Sequence, residues 1–151
     1  MKIAIGCDEA GYGLKQILIK SLQNRDIELT DFGCYDESPV LYPEVGHDVA
    51  RAVADGTFER GILICGTGIG MSITANKIPG IRAAVCHDSF SANRSRSSNN
   101  AQILCLGARV IGSELAKDIV NIWMSHDFSG GLSTAKVDKI KEIEEIYINR
   151  C

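Results

Sequence analysis

The chain has 151 residues, 45% hydrophobic and 23% charged, the balance of one ordinary domain long enough to bury a core. A formal net charge of −3 leaves no basic footprint for nucleic acid or an anionic membrane surface. The N-terminal KIAIGC lacks the apolar length of a signal peptide, and no apolar run approaches the roughly 18 residues of a membrane span. The expectation is a cytoplasmic protein with neither nucleic acid nor membrane as partner.

Residues 2–7 read as a first strand, with Asp8-Glu9-Ala10-Gly11 as the turn after it. Leu14, Ile17, Leu18 and Leu22 recur at helical spacing over 12–24. Residues 27–32 form a second strand ended by Gly33, and a polar loop with Ser38-Pro39 and Tyr42-Pro43 leads to a helix over about 44–54. After Asp55-Gly56 comes the stretch around which the chain is organised, GILICGTGIG at 61–70. A short helix over 71–77 stops at Pro79-Gly80, and a fourth strand covers 81–86. Asp88 or Ser89 caps the next helix, which is strongly polar and runs to about Ser98. Residues 102–106 make the fifth strand, 113–124 a helix, and 133–149 a last helix with Val137, Ile140, Ile143 and Ile146 on one face. This alternation predicts an α/β fold: a single Rossmann-like domain over 1–151, with a five-stranded parallel sheet and helices on both faces. Ligands in such sheets bind beyond the carboxyl ends of the strands, where Asp8, Cys65, Asp88 and Arg109 all fall. The last helix has few obvious packing partners and is a candidate oligomer interface.

In the central stretch, Ile62, Leu63 and Ile64 run without alternation, as in a strand covered on both faces. Cys65 closes the run, and Gly66, Gly68 and Gly70 alternate with Thr67 and Ile69 before the helix. Alternate glycines allow a tight turn with N–H groups facing a bound oxygen, and a thiol beside such donors can ionise and act as base or nucleophile. A second reading stands beside it: a tight turn after a buried strand that ends in an inert core cysteine.

Six cysteines, at 7, 34, 65, 86, 105 and 151, are scattered without a C-x-x-C pair, and His47, His87 and His126 are isolated. That pattern fits reduced, mostly buried thiols, with Cys7, Cys86 and Cys105 in the core, and predicts no metal. Cysteine phosphatase chemistry needs an arginine where Met71 stands, six residues after Cys65. A Walker loop needs Gly-Lys-Ser/Thr after its glycines, and a dinucleotide fingerprint belongs after the first strand, where this chain has DEAGYG. Proton abstraction beside a carbonyl remains, with Cys65 as base and the amides of residues 66–70 stabilising an enediolate oxygen.

GCDEAG at 6–11, ICGTGIGMSITANKIPGIRAAVC at 64–86 and GARVIGSELAKDIV at 107–120 resemble the type B ribose-5-phosphate isomerases, which share a family with the galactose-6-phosphate isomerase subunits. The resemblance covers nearly the whole chain. It implies a homodimer or dimer of dimers with shared active sites, acting on a sugar phosphate without metal or other cofactor through an enediol. By position it assigns Cys65 as the proton-transferring base. Thr67 and the amides of Gly66, Gly68 and Gly70 match the anion hole, which Asn99 joins from the partner subunit. Asp8 and Tyr42 match residues lining the substrate pocket, and Arg109 a phosphate ligand.

Departures from the pattern bear on the substrate. The usual Asp-His of the first turn is Asp8-Glu9 here; Glu9 is either a substrate contact or a charge favoured at a helix start. The histidine that opens the sugar ring in most members is replaced by Ser98. The two phosphate-binding arginines are replaced by Leu132 and Lys136, and a lysine keeps the charge without the fork. His87, at a strand end, is either a substrate contact that takes over ring opening or a capping or supporting residue. A tetrose phosphate esterified on its terminal carbon cannot close a furanose ring and needs no ring-opening group. SNNAQI at 98–103 also resembles the tetrulose-phosphate branch of the family. The expectation is therefore erythrulose 4-phosphate over ribose 5-phosphate. The alternatives are a ribose-5-phosphate isomerase using His87, and a non-catalytic sugar-phosphate-binding homologue.

Overall fold

A computed structural model describes residues 1–149; Cys151 lies outside the described residues. The strands β1 (Lys2–Cys7), β2 (Glu28–Asp31), β3 (Arg60–Cys65), β4 (Ala83–Val85) and β5 (Ile103–Gly107) form one sheet in the order β2-β1-β3-β5-β4. Every pair is parallel. The helices are α1 (Tyr12–Leu22), α2 (Tyr42–Ala54), α3 (Ile69–Ala75), α4 (Ser89–Ser97), α5 (Ser113–Ser125) and α6 (Thr134–Ile148). After β1 the chain first builds outward through β2, then returns to add β3 on the other side. The order reverses between β1 and β3, and that is where an open parallel sheet leaves a crevice.

Alternating side chains send the sheet residues to two cores. Ile3, Ile5, Ile62, Ile64, Leu104 and Leu106 pack with Leu18 of α1 and Ile119 and Trp123 of α5. Ala4, Leu63, Cys65, Ile103 and Cys105 pack with Val49 and Val53 of α2 and Met71 and Ala75 of α3. Because both faces are covered, all six residues of β3 are buried, which accounts for its unbroken apolar run. Of the face foreseen on α6, only Val137 is buried; Ile140, Ile143 and Ile146 remain about half exposed.

Boundaries shift where local geometry overrides pattern. α2 begins at Tyr42, two residues before the expected start, because Pro43 fits a first turn that has no use for its missing N–H. α3 begins at Ile69, directly after Gly68 in the left-handed region, φ +77°. β4, at the sheet edge, keeps only 83–85 of the expected 81–86, since Ile81 N–H turns back to the Ile78 carbonyl; Cys86 N–H still reaches the Cys105 carbonyl at 3.2 Å. Asp88, not Ser89, caps α4, its Oδ1 accepting the Ser91 N–H at 2.7 Å.

Candidate active site

The register sets the site. Cys7 of β1 lies opposite Ile64 of β3, and the Asp8 N–H donates to the Ile64 carbonyl at 3.1 Å, so Asp8 leaves its strand beside Cys65. On the other side Cys65 pairs with Gly107, and the turn after β5 is sewn to the loop after β3. Ala108 N–H donates to the Cys65 carbonyl at 2.8 Å and Arg109 N–H to the Gly66 carbonyl at 3.0 Å. The expected residues at 8, 65, 66 and 109 therefore meet because three neighbouring parallel strands end at the same level.

Two glycines of the loop are there for space. A β-carbon on Gly68 would come within 3.0 Å of the Leu106 backbone, and one on Gly70 within 2.7 Å of the Tyr42 ring. Tyr42 thus walls the loop from α2. The Gly68 N–H donates to the Cys65 Sγ at 3.1 Å, which holds the sulfur against the loop. The Ile69 N–H turns back to the Thr67 hydroxyl at 3.3 Å, and Thr67 itself is exposed at the loop crest. Cys65 is only 5% exposed. One of the loop amides, that of Gly68, serves the thiol.

Around the thiol the charges are graded. Burial raises the Asp8 carboxyl above its usual range, against the Gly11 N–H it accepts at 3.0 Å; Glu9 adds to the rise and Arg109 opposes it. Glu9 goes the other way, held low by its own N–H and by that of Val40, which it accepts at 3.2 Å. Glu9 therefore ties the 33–41 loop to the first turn. The Arg109 side chain lies over Gly66, where a β-carbon would be 3.5 Å from its Cδ. His87 is half-buried, and its Nε2 accepts the Gly107 N–H at 2.9 Å.

Asn99 and Lys136 are not brought to Cys65 within one chain. α4 starts beyond the carboxyl end of β4 and runs back, so Asn99 reaches the amino end, where its carbonyl accepts Arg82 Nε at 3.1 Å. Lys136 is exposed in the first turn of α6, and the segment leading to it is joined to the end of α4 by the Ser129 N–H on the Ser97 carbonyl. The Ser98 hydroxyl is buried and has no partner among the described residues. Asn99 also lines a groove of about 380 Å³ along the β4 edge with Arg82, Arg94 and Ile140; Cys65 is not one of its walls.

The five cysteines within the described residues are free and buried, as the scattered spacing implies. One supporting group escaped the sequence reading. Lys15 of α1 is fully buried, donates to both Asp31 oxygens at 2.6 and 2.8 Å and to the Cys34 carbonyl, and lies between the Tyr12 and Tyr35 rings. It ties the end of β2 and the loop after it to α1. A lysine within an amphipathic pattern looks like a solvated charge, so no local signal marks it.

A model of the ribose/galactose isomerase family matches residues 3–140. The chain is similar to a Listeria innocua protein named ribose-5-P isomerase B, 58% identical over 96% of this chain and 98% of that one. It is similar too to the D-erythrulose-4-phosphate isomerase of Pectobacterium atrosepticum, 53% identical over 93% of each. The solved structure of Clostridium thermocellum ribose-5-phosphate isomerase B superposes with a TM-score of 0.95 at 52% identity, covering 97% of this chain and 99% of that one. Likeness of this extent, in sequence and in fold, leads to one assignment: the chain belongs to the ribose/galactose isomerase family and is an isomerase.

Proposed function

We propose that this isomerase interconverts a four-carbon ketose phosphate, erythrulose 4-phosphate, with its aldose, and handles ribose 5-phosphate poorly. Cys65 as thiolate takes a proton from the carbon beside the carbonyl and returns it to the neighbouring carbon. Thr67 and the loop amides stabilise the enediol oxygen between the two transfers. Asp8 accepts hydrogen bonds from substrate hydroxyls, Tyr42 bounds the pocket, and Arg109 holds the phosphate. The observation that carries the choice of substrate is Ser98. It stands where a ring-opening histidine is the rule, and its hydroxyl is buried and without a partner among the described residues. An open-chain tetrose phosphate needs no proton shuttle to a ring oxygen, so the serine costs it nothing. Specificity constants for erythrulose 4-phosphate and ribose 5-phosphate test the proposal: a clear preference for ribose 5-phosphate overturns it.

The second reading is a ribose-5-phosphate isomerase that opens the ring through His87, favoured by that residue's place at the carboxyl end of β4. It is the weaker of the two because Nε2 is already engaged by a backbone N–H, leaving only Nδ1 to exchange protons. A ribose 5-phosphate activity lost in His87→Ala would support it.

The working site takes residues from two chains. Asn99 stands at the amino end of the sheet, separated from Cys65 of the same chain by roughly 20 Å of strand, and Lys136 is exposed on α6. A second copy supplies them to the Cys65 loop, Asn99 to the anion hole and Lys136 to the phosphate. Mixing Cys65→Ala with Asn99→Ala, each inactive alone, then restores activity through hybrid sites. No recovery, with subunit exchange shown independently, refutes sharing.

A further inference from the structure

β5 extends to Gly107, but its edge neighbour β4 stops at Val85, opposite Cys105. The last main-chain bond from β4 toward β5 is the Cys86 N–H on the Cys105 carbonyl. Beyond it, the Gly107 N–H has no strand beside it, and the His87 Nε2 takes the place of the missing carbonyl at 2.9 Å. A backbone N–H only donates, so that nitrogen must be bare: the imidazole is neutral, with its proton on Nδ1.

What this bond holds is the seam of the site. Gly107 lies against the Thr67 backbone, so closely that a β-carbon would be 2.8 Å from the Thr67 carbonyl carbon and oxygen. Its own carbonyl accepts the Val110 N–H at 2.9 Å, and the next two amides bond to Cys65 and Gly66. From Gly107 to Arg109 the chain is thus fixed to the Cys65 loop on one side and to His87 on the other.

We infer that neutral His87 is a positioning residue: by accepting the Gly107 N–H it keeps the turn that carries Arg109 seated on the Cys65–Thr67 loop, and protonation of the imidazole releases that turn. Protonation puts a second N–H where the acceptor was, facing the Gly107 N–H. Two charged groups lie on the segments that meet here. Asp88, next in the chain, has its carboxylate drawn to the Ser91 N–H and hydroxyl and kept low by them. Arg109 stands two residues past Gly107, its side chain over Gly66. The consequence for turnover rests on Arg109 as the phosphate ligand of the proposed function; the hydrogen bond itself does not.

The test has two arms. Without substrate, nitrogen-15 spectra of the imidazole show the Nδ1–H tautomer, and the Gly107 amide shifts with pH at the midpoint of the His87 titration. With whichever sugar phosphate is turned over fastest, KM rises about tenfold as pH falls through that midpoint, and kcat changes less. His87→Leu shows the raised KM at every pH. His87→Gln, whose side-chain carbonyl can accept the same N–H and does not titrate, brings KM back toward the wild-type value and flattens its pH dependence. An Nε2–H tautomer, or a Gly107 amide indifferent to the titration, overturns the inference whatever the substrate. So does a Gln variant as low in kcat as the Leu variant, which would make His87 a proton donor in the reaction.

Discussion

The two ends of the sheet hold their charged groups in different settings. At the amino end, Arg60 of β3 and Arg96 of α4 are almost fully buried. Arg60 donates to the carbonyls of Trp123, Met124 and His126 and to Asp127, and lies over the Trp123 ring, so it closes the carboxyl end of α5. Burial and the Arg60 charge push Arg96 down to about 10, with Asp127 opposing. At the carboxyl end the groups sit at the crevice: Asp8 accepts the Gly11 N–H, Cys65 accepts the Gly68 N–H, and the Arg109 side chain is exposed over Gly66. A buried charge whose partners all belong to the chain is a brace. Groups held at an open crevice beside an exposed arginine keep their capacity for a ligand.

If this contrast is right, changes at the two ends separate activity from stability. The largest effect belongs to Cys65→Ala, expected to lower kcat by about 10⁴-fold with the melting temperature nearly kept, because the loop is held by backbone bonds. Steady-state rates beside thermal melts check it, and near-wild-type turnover would remove the thiol from the mechanism. Arg60→Leu should do the reverse. It leaves several α5 carbonyls and Asp127 without their cation and costs about 3 kcal/mol in denaturant unfolding, with kcat of the folded enzyme close to wild type.

Two smaller effects sharpen the picture. Ser98→His, which restores the usual ring-opening group, should raise kcat/KM for ribose 5-phosphate about 10²-fold and leave erythrulose 4-phosphate much less affected. An equal gain on both substrates would show that ring opening is not what the serine lacks. Among the thiols, burial pushes Cys7 up to about 12 and raises Cys86 and Cys105 as well. Below those values they stay protonated, so native protein at pH 8 should take up iodoacetamide at Cys65 and leave these three untouched, with substrate protecting Cys65. Mass spectrometry of the alkylated peptides reads the order directly, and Cys7 labelling ahead of Cys65 would contradict it.

The sequence by itself determined the order and kind of the elements and the place of the central loop at a strand end, because both are written locally. Ile62-Leu63-Ile64 needs cover on both faces, and three alternate glycines beside a thiol need no distant residue to be recognised. The family pattern likewise marked Asp8, Tyr42 and Arg109. Tertiary structure alone decided how those residues act on one another. Parallel strands from distant parts of the chain pair in a register that no local pattern encodes, and that register sets Asp8 beside Cys65 and lays Arg109 over Gly66. It decided that Lys15 is buried as a brace rather than solvated, since a helical lysine looks the same in either role. It also turned His87 toward a backbone N–H, because β4 ends two residues short of β5 and an unpaired amide at a sheet edge takes the nearest acceptor. Direction of travel explains Asn99: a helix that follows a parallel strand runs back down the sheet, so its last residues finish far from the strand ends where Cys65 stands.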